Sequence, residues 1–173
     1  MCLIVKEANK TKKPVECYKV MLEAFDIDSG EYAMTVTPFQ YVRVNKKILN
    51  GEWLFKAKTE SSLIKWDCID NQIGFTLKNK TEKNNFRIKY VVSQGFIHVY
   101  MNKSEMTDDI SWYFKNIDGN KEHIGNKWYI LKVAVYRCEI PEGTLYCRGH
   151  FESKLAGCAR QIRFVKKLDL FLF

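Results

Sequence analysis

The feature that most limits what this chain can become is the segment at residues 127–140. Within it Leu131, Val133 and Val135, with Ala134 and Tyr136 between them, are apolar almost without interruption. A strand with one wet face alternates, whereas a run that is apolar at successive positions needs cover on both faces. The segment therefore predicts a central strand with packing on either side of its sheet. Pro141, Glu142 and Gly143 end it, since proline presets φ for a turn. Leu145, Tyr146 and Cys147 then resume extended structure.

A helix can supply one of the covering layers. Met106, Ile110, Tyr113 and Ile117 recur at spacings of four, three and four, which places them on one helical face. Asn102 and Glu105 have the chemistry of a capping box, and Asp108 and Asp109 sit early, where the helix dipole favours acids. Asp118 and Gly119 end the segment, with glycine free to turn left-handed. The helix is expected to lie across a sheet, with Trp112 and Phe114 widening the contact.

Elsewhere short apolar runs alternate with turn signals. Residues 15–25 are followed by Asp28, Ser29 and Gly30, residues 32–44 are broken by Pro38, and Asn50-Gly51 is a strong turn signal. Residues 73–77 and 86–92 read as a hairpin. Its second arm alternates Phe86, Ile88, Tyr90 and Val92 with Arg87, Lys89 and Val91. The connecting loop completes a basic patch of Lys78, Lys80, Lys83, Arg87 and Lys89. Near the end, Ile162 and Phe164 alternate with Arg163 and Lys166, and the apolar residues 168–173 are expected to pair into the sheet. The fold class is α+β, predominantly antiparallel β, with one amphipathic helix at about 104–117. A barrel-like closure, a sandwich and an open sheet all satisfy the pattern. Repeats, heptads and Pro- or Ser-rich linkers are missing, so residues 1–173 read as a single domain.

Lys and Arg number 28 against 20 Asp and Glu, a formal net charge of +8. That field favours an anionic partner: an acidic protein surface, a nucleotide or a nucleic acid. No run approaches the ~18 apolar residues of a membrane helix, so no membrane partner is expected. Cysteines stand at 2, 17, 68, 138, 147 and 158, none spaced as CxxC, and no secretory leader pattern precedes them. They read as reduced thiols of a cytoplasmic protein. Cys138, Cys147, His150 and Cys158 form the one cluster of potential metal ligands, but only Cys147 and His150 have close-pair spacing. Neither metal nor cofactor is expected.

Several segments together are similar to an uncharacterised family of small proteins of bacteriophages and gut-type bacteria. They are Met1 to Val5, Cys17 to Val20, Thr37-Pro38-Phe39, Gly95-Phe96-Ile97-His98, and the run from Cys138 through Pro141, Gly143 and Tyr146 to Gly149. The resemblance brings no established activity. It implies a phage or mobile-element setting, in which a small binder would sequester a host defence protein or its nucleotide signal.

His98 stands between a strand and a helix start, where free backbone N–H groups and the helix dipole suit anions. With Tyr100, Tyr146, Arg148 and His150 it forms a candidate ligand-binding constellation. Gly-x-Ser-x-Gly, a P-loop, HExxH and a dinucleotide glycine fingerprint are all missing. The expected function is therefore a non-enzymatic binding protein with a basic, aromatic surface. The alternatives are a small nucleotide-directed transferase or hydrolase using His98 and Tyr146, and a structural or assembly module marked by a large apolar interface.

Overall fold

A computed structural model describes residues 3–5, 9–38, 41–51, 54–56, 63–66, 89–92, 96–151 and 154–169. The first part of the chain gives β1 (Leu3–Val5), β2 (Asn9–Lys10), β3 (Val15–Asp26), β4 (Tyr32–Val36) and β5 (Arg43–Val44). A one-turn helix α1 (Lys46–Leu49) follows, then β6 (Leu54–Lys56), β7 (Leu63–Trp66), β8 (Lys89–Val92) and β9 (Ile97–Val99). The long helix α2 (Lys103–Asn116) precedes β10 (Lys121–Ile124), β11 (Lys127–Ile140), β12 (Leu145–Phe151), β13 (Lys154–Ala159) and β14 (Gln161–Leu168).

The strands form two antiparallel sheets. Sheet I has the order β7-β8-β1-β12-β13-β9, with β2 also on β12; sheet II has the order β5-β4-β3-β11-β14-β6, with β10 also on β11. Among the described residues neither sheet closes on itself as a barrel. They are joined where Tyr100, just past β9, bridges Tyr18 in β3, with backbone bonds of 2.8 and 2.9 Å.

β11 is the central strand that its apolar run predicts, paired with β3 over twelve residues from Tyr129↔Asp26 to Ile140↔Val15. Its other edge is shared. β10 takes residues 127–130, and β14 takes the stretch from Val135 to Glu139. Between them, the Leu131 amide donates to the Asn120 carbonyl at 2.9 Å and the Val133 amide to Asp118 Oδ1 at 2.7 Å. The end of α2 is thus bonded to the centre of sheet II, and these backbone donors are satisfied.

Successive β11 side chains enter two cores. On one face Leu131, Val133 and Val135 join Val20, Leu22, Ala24 and Val36 beneath Met106, Ile110 and Tyr113 of α2, all buried. The expected helix face is therefore the packed one, and Asn102 caps it by accepting from the Glu105 amide at 2.9 Å. The return arm of the capping box is not closed through Glu105 Oε2, which is buried without a partner. Trp112 and Phe114 depart from expectation: they are 50% and 37% exposed, because they follow the buried positions around to the outer side of the helix. On the other face Ala134, Tyr136, Cys138 and Ile140 pack with Cys17, Met21, Ile162 and Phe164, and with Ile97, Val99 and Ala159 from sheet I.

Residues 89–92 pair with β7 on one side and β1 on the other; residues 73–77 and 86–88 of the expected hairpin lie outside the described residues. Asn50-Gly51 makes the expected turn, and it closes α1, with the Gly51 amide donating to the Ile48 carbonyl at 3.1 Å. Gly51 has φ +79°, and a Cβ there would lie 2.9 Å from the Phe164 carbonyl oxygen, so glycine lets α1 settle against β14. Pairing near the chain end extends to Leu168, opposite Val135; residues 170–173 lie outside the described residues.

Candidate functional site

The sheet register separates the constellation expected around His98. His98, Cys158 and Cys147 are opposed in one cross-strand row, so they share a face of sheet I. Tyr146 is opposed to Ala159, and Arg148 to Gly157, in the alternate rows. Directly opposed residues point to the same side and neighbours along a strand point to opposite sides. His98 is therefore on one face, and Tyr146 and Arg148 are on the other. Tyr146 packs against the core, while Arg148 is exposed. Tyr100 faces α2, where Tyr113 and Asp109 are its polar neighbours. The His150 backbone pairs with Ile4 and Leu155. His98 reaches solvent at one edge, yet desolvation of the ring and then the Lys19 ammonium push it down to about 4. It is neutral at physiological pH and brings no positive charge to an anion.

Of the expected basic patch, Lys78, Lys80, Lys83 and Arg87 lie outside the described residues, and Lys89 begins β8. Of the candidate metal ligands, Cys138 belongs to sheet II, opposite Cys17, while Cys147 and Cys158 oppose each other in sheet I. Among the described residues no three His, Cys, Asp or Glu side chains gather as a metal site.

The described residues gather instead in a cleft that no sequence motif marks. It lies on the Tyr136 face of sheet II, beside α1, with a volume of about 520 Å³, and opens to solvent. Its lining includes Glu23, Tyr32, Thr35, Lys46, Asn50, Tyr136, Lys166 and Lys167. At the base Glu23 Oε1 accepts from Lys167 Nζ at 2.6 Å and from the Tyr136 hydroxyl at 3.4 Å. Burial, and then the Glu23 charge, raise Tyr136, so its phenol stays protonated and remains a donor. The Tyr32 hydroxyl shares a hydrogen bond of 2.9 Å with Thr35 Oγ1, and Lys46 Nζ lies 5.6 Å from the Tyr32 ring centroid. The Lys46 and Lys167 ammonium groups thus border one carboxylate and two phenols, while Lys166, opposite Arg137, starts from the other face of the sheet.

Two β-bulges build this arrangement. In β14, Phe164 opposes Cys138 but Lys166 opposes Arg137, so Val165 is the extra residue. Past it the phase of β14 reverses, and Lys167 comes opposite Tyr136, on the same face as Phe164. In β4, Met34 opposes Ala24 but Tyr32 opposes Phe25, leaving Ala33 as the extra residue. Tyr32 is thereby turned to the Phe25 and Glu23 face, where its ring meets that of Phe25 edge-on at 5.9 Å. Re-aiming a side chain is the characteristic effect of a bulge. Strict alternation would have placed Tyr32 and Lys167 on the wrong side, and for that reason sequence reading misses them. The Lys166-Lys167 doublet, which breaks the alternation of Ile162 and Phe164, is the one signal that marks the irregularity.

Deeper on this face, Lys19 opposes Tyr136 and donates from Nζ to the His98 carbonyl at 2.6 Å. Burial lowers it to about 8, while burial drives the neighbouring Cys17 thiol up to about 12. Desolvation is the cause of both shifts, and at neutral pH the Lys19 amine is still mostly protonated and the Cys17 thiol neutral. No protein-family model, curated protein or solved structure matches the chain, so the cleft has to be interpreted from its own chemistry.

Proposed function

We propose that the protein is a non-enzymatic binder of a phosphate-bearing ligand, a nucleotide being the class that suits the cleft best. The observation that carries this reading is the convergence of Lys46 and Lys167 with Tyr32 and Tyr136, aided by two bulges. Lysine ammonium groups serve as point charges for phosphate. The partly exposed Tyr32 ring offers an aromatic surface to a base, and the Tyr136 phenol, bonded to Glu23, fixes the base of the cleft. A volume of about 520 Å³ lies in the range of small-ligand clefts. The net positive charge of the chain would raise the local concentration of such a ligand. In the phage setting suggested by the sequence resemblance, such binding would sequester a host nucleotide signal.

Calorimetric titration with pyrophosphate and with a nucleoside triphosphate tests the proposal. Both should bind competitively, the nucleoside triphosphate more tightly, and both should weaken as salt rises. The Lys46→Glu/Lys167→Glu double variant should lose both. Absence of binding by wild type, or binding that the double variant retains in full, would overturn the proposal.

A further inference from the structure

In sheet I the pairing of β12 with β13 brings two cysteines face to face. Cys147 and Cys158 are directly opposed there, with Sγ atoms 2.9 Å apart, and both residues are buried. Directly opposed residues of an antiparallel pair have Cα atoms about 4.5 or 5.5 Å apart, and both spacings fall inside the roughly 4.4–6.8 Å window of a disulfide. The sulfurs need to approach by only about 0.9 Å to reach the ~2.0 Å covalent bond length. We propose that Cys147 and Cys158 form a peroxide-reactive dithiol, with Cys147 as the attacking sulfur and Cys158 as the resolving one. This site is separate from the cleft and does not rest on the proposed nucleotide binding.

The hydrogen bond between the two sulfurs divides their roles: it lowers Cys147 and raises Cys158. The more acidic sulfur supplies the thiolate that attacks. Cys147 attacks the terminal oxygen of a peroxide, the O–O bond breaks, and the departing alkoxide takes the Cys147 proton and leaves as the alcohol. Cys147 is then a sulfenic acid. Cys158 attacks its sulfur, the S–S bond forms and the S–O bond breaks. The leaving hydroxide takes the Cys158 proton and departs as water. Two thiols lose two electrons, and the peroxide is reduced to alcohol and water.

The same molecule holds an internal comparison. Cys17 and Cys138 are also directly opposed, but in the twelve-residue β3–β11 ladder, and Cys138 Sγ turns to the Tyr136 carbonyl at 3.7 Å. Burial raises both of these thiols. They should lag behind.

The experiment treats the reduced full-length protein with increasing hydrogen peroxide. It follows intact mass, and maps linked peptides without reduction. The expected result is loss of two hydrogens, with Cys147–Cys158 linked completely before any Cys17–Cys138 peptide appears. In the wild-type protein at substoichiometric peroxide, a 1,3-dione probe should trap sulfenic acid on Cys147 and not on Cys158. Because the mapping uses the wild-type chain, a poorly folded variant cannot obscure the answer. A first linkage involving any other cysteine, or no linkage before overoxidation, would overturn the proposal.

Discussion

Replacing Glu23 by Gln should tighten anion binding, although it removes a charged residue from the centre of the cleft. Glu23 Oε1 holds Lys167 Nζ at 2.6 Å, so one of the two lysines is neutralised before any ligand arrives. Glutamine keeps the shape and a carbonyl that still accepts from the Tyr136 phenol at the 3.4 Å position. The variant removes a repulsion and frees an ammonium group. For a phosphate held about 7 Å away, one unit charge is worth between about 0.6 and about 2.4 kcal/mol as the effective dielectric runs from ~80 to ~20. That corresponds to a decrease in Kd of roughly 3- to 60-fold. The fold should barely respond: Lys167 is half exposed, and such pairs contribute about 1 kcal/mol or less. Pyrophosphate titrations of wild type and Glu23→Gln, at low and at physiological salt, measure the difference, with thermal melts run alongside. An unchanged or weakened Kd with an unchanged melt would refute the electrostatic reasoning and move the anion site out of this cleft.

The other predictions concern the scaffold. Ile110 is 3% exposed beneath α2, so Ile110→Asp should destabilise by about 3–5 kcal/mol through lost packing and a buried unpaired charge; an unchanged Tm would show that the helix does not carry this core. Acid should weaken the fold in an identifiable window. The folded-state value of His98, about 4, is below its ordinary 6.5, so the unfolded chain takes up that proton first. Stability is then lost as pH falls from about 6.5 towards 4. Asp26 is held low by the Ser29 and Asp28 amides and adds its own loss only at more acidic pH, below the ordinary carboxylate value. Urea midpoints across this range should fall with acid in wild type and fall less between pH 6.5 and 4 in His98→Asn; equal slopes would exclude His98 as the cause.

The sequence by itself determined the parts that rest on local periodicity. The apolar run from Leu131 to Tyr136, interrupted only at Lys132, specifies a strand covered on both faces, and β11 is covered by α2 on one side and by sheet I residues on the other. The recurrence of Met106, Ile110 and Tyr113 specifies the helix and its buried face. Asn102 and Gly143 mark a cap and a turn, because a short side-chain acceptor and a glycine at φ +74° act within a few residues of themselves. Tertiary structure decided what depends on register between distant strands. Whether His98 meets Tyr146 depends on which residue each one opposes across β13, and a shift of one position reverses the answer. The cleft depends on the bulges at Val165 and Ala33, which turn Lys167 and Tyr32 towards Glu23 from positions about 130 residues apart. Bulges arise from the fit of one strand to its partner, and along the single strands the broken alternation at Lys166-Lys167 is their one trace.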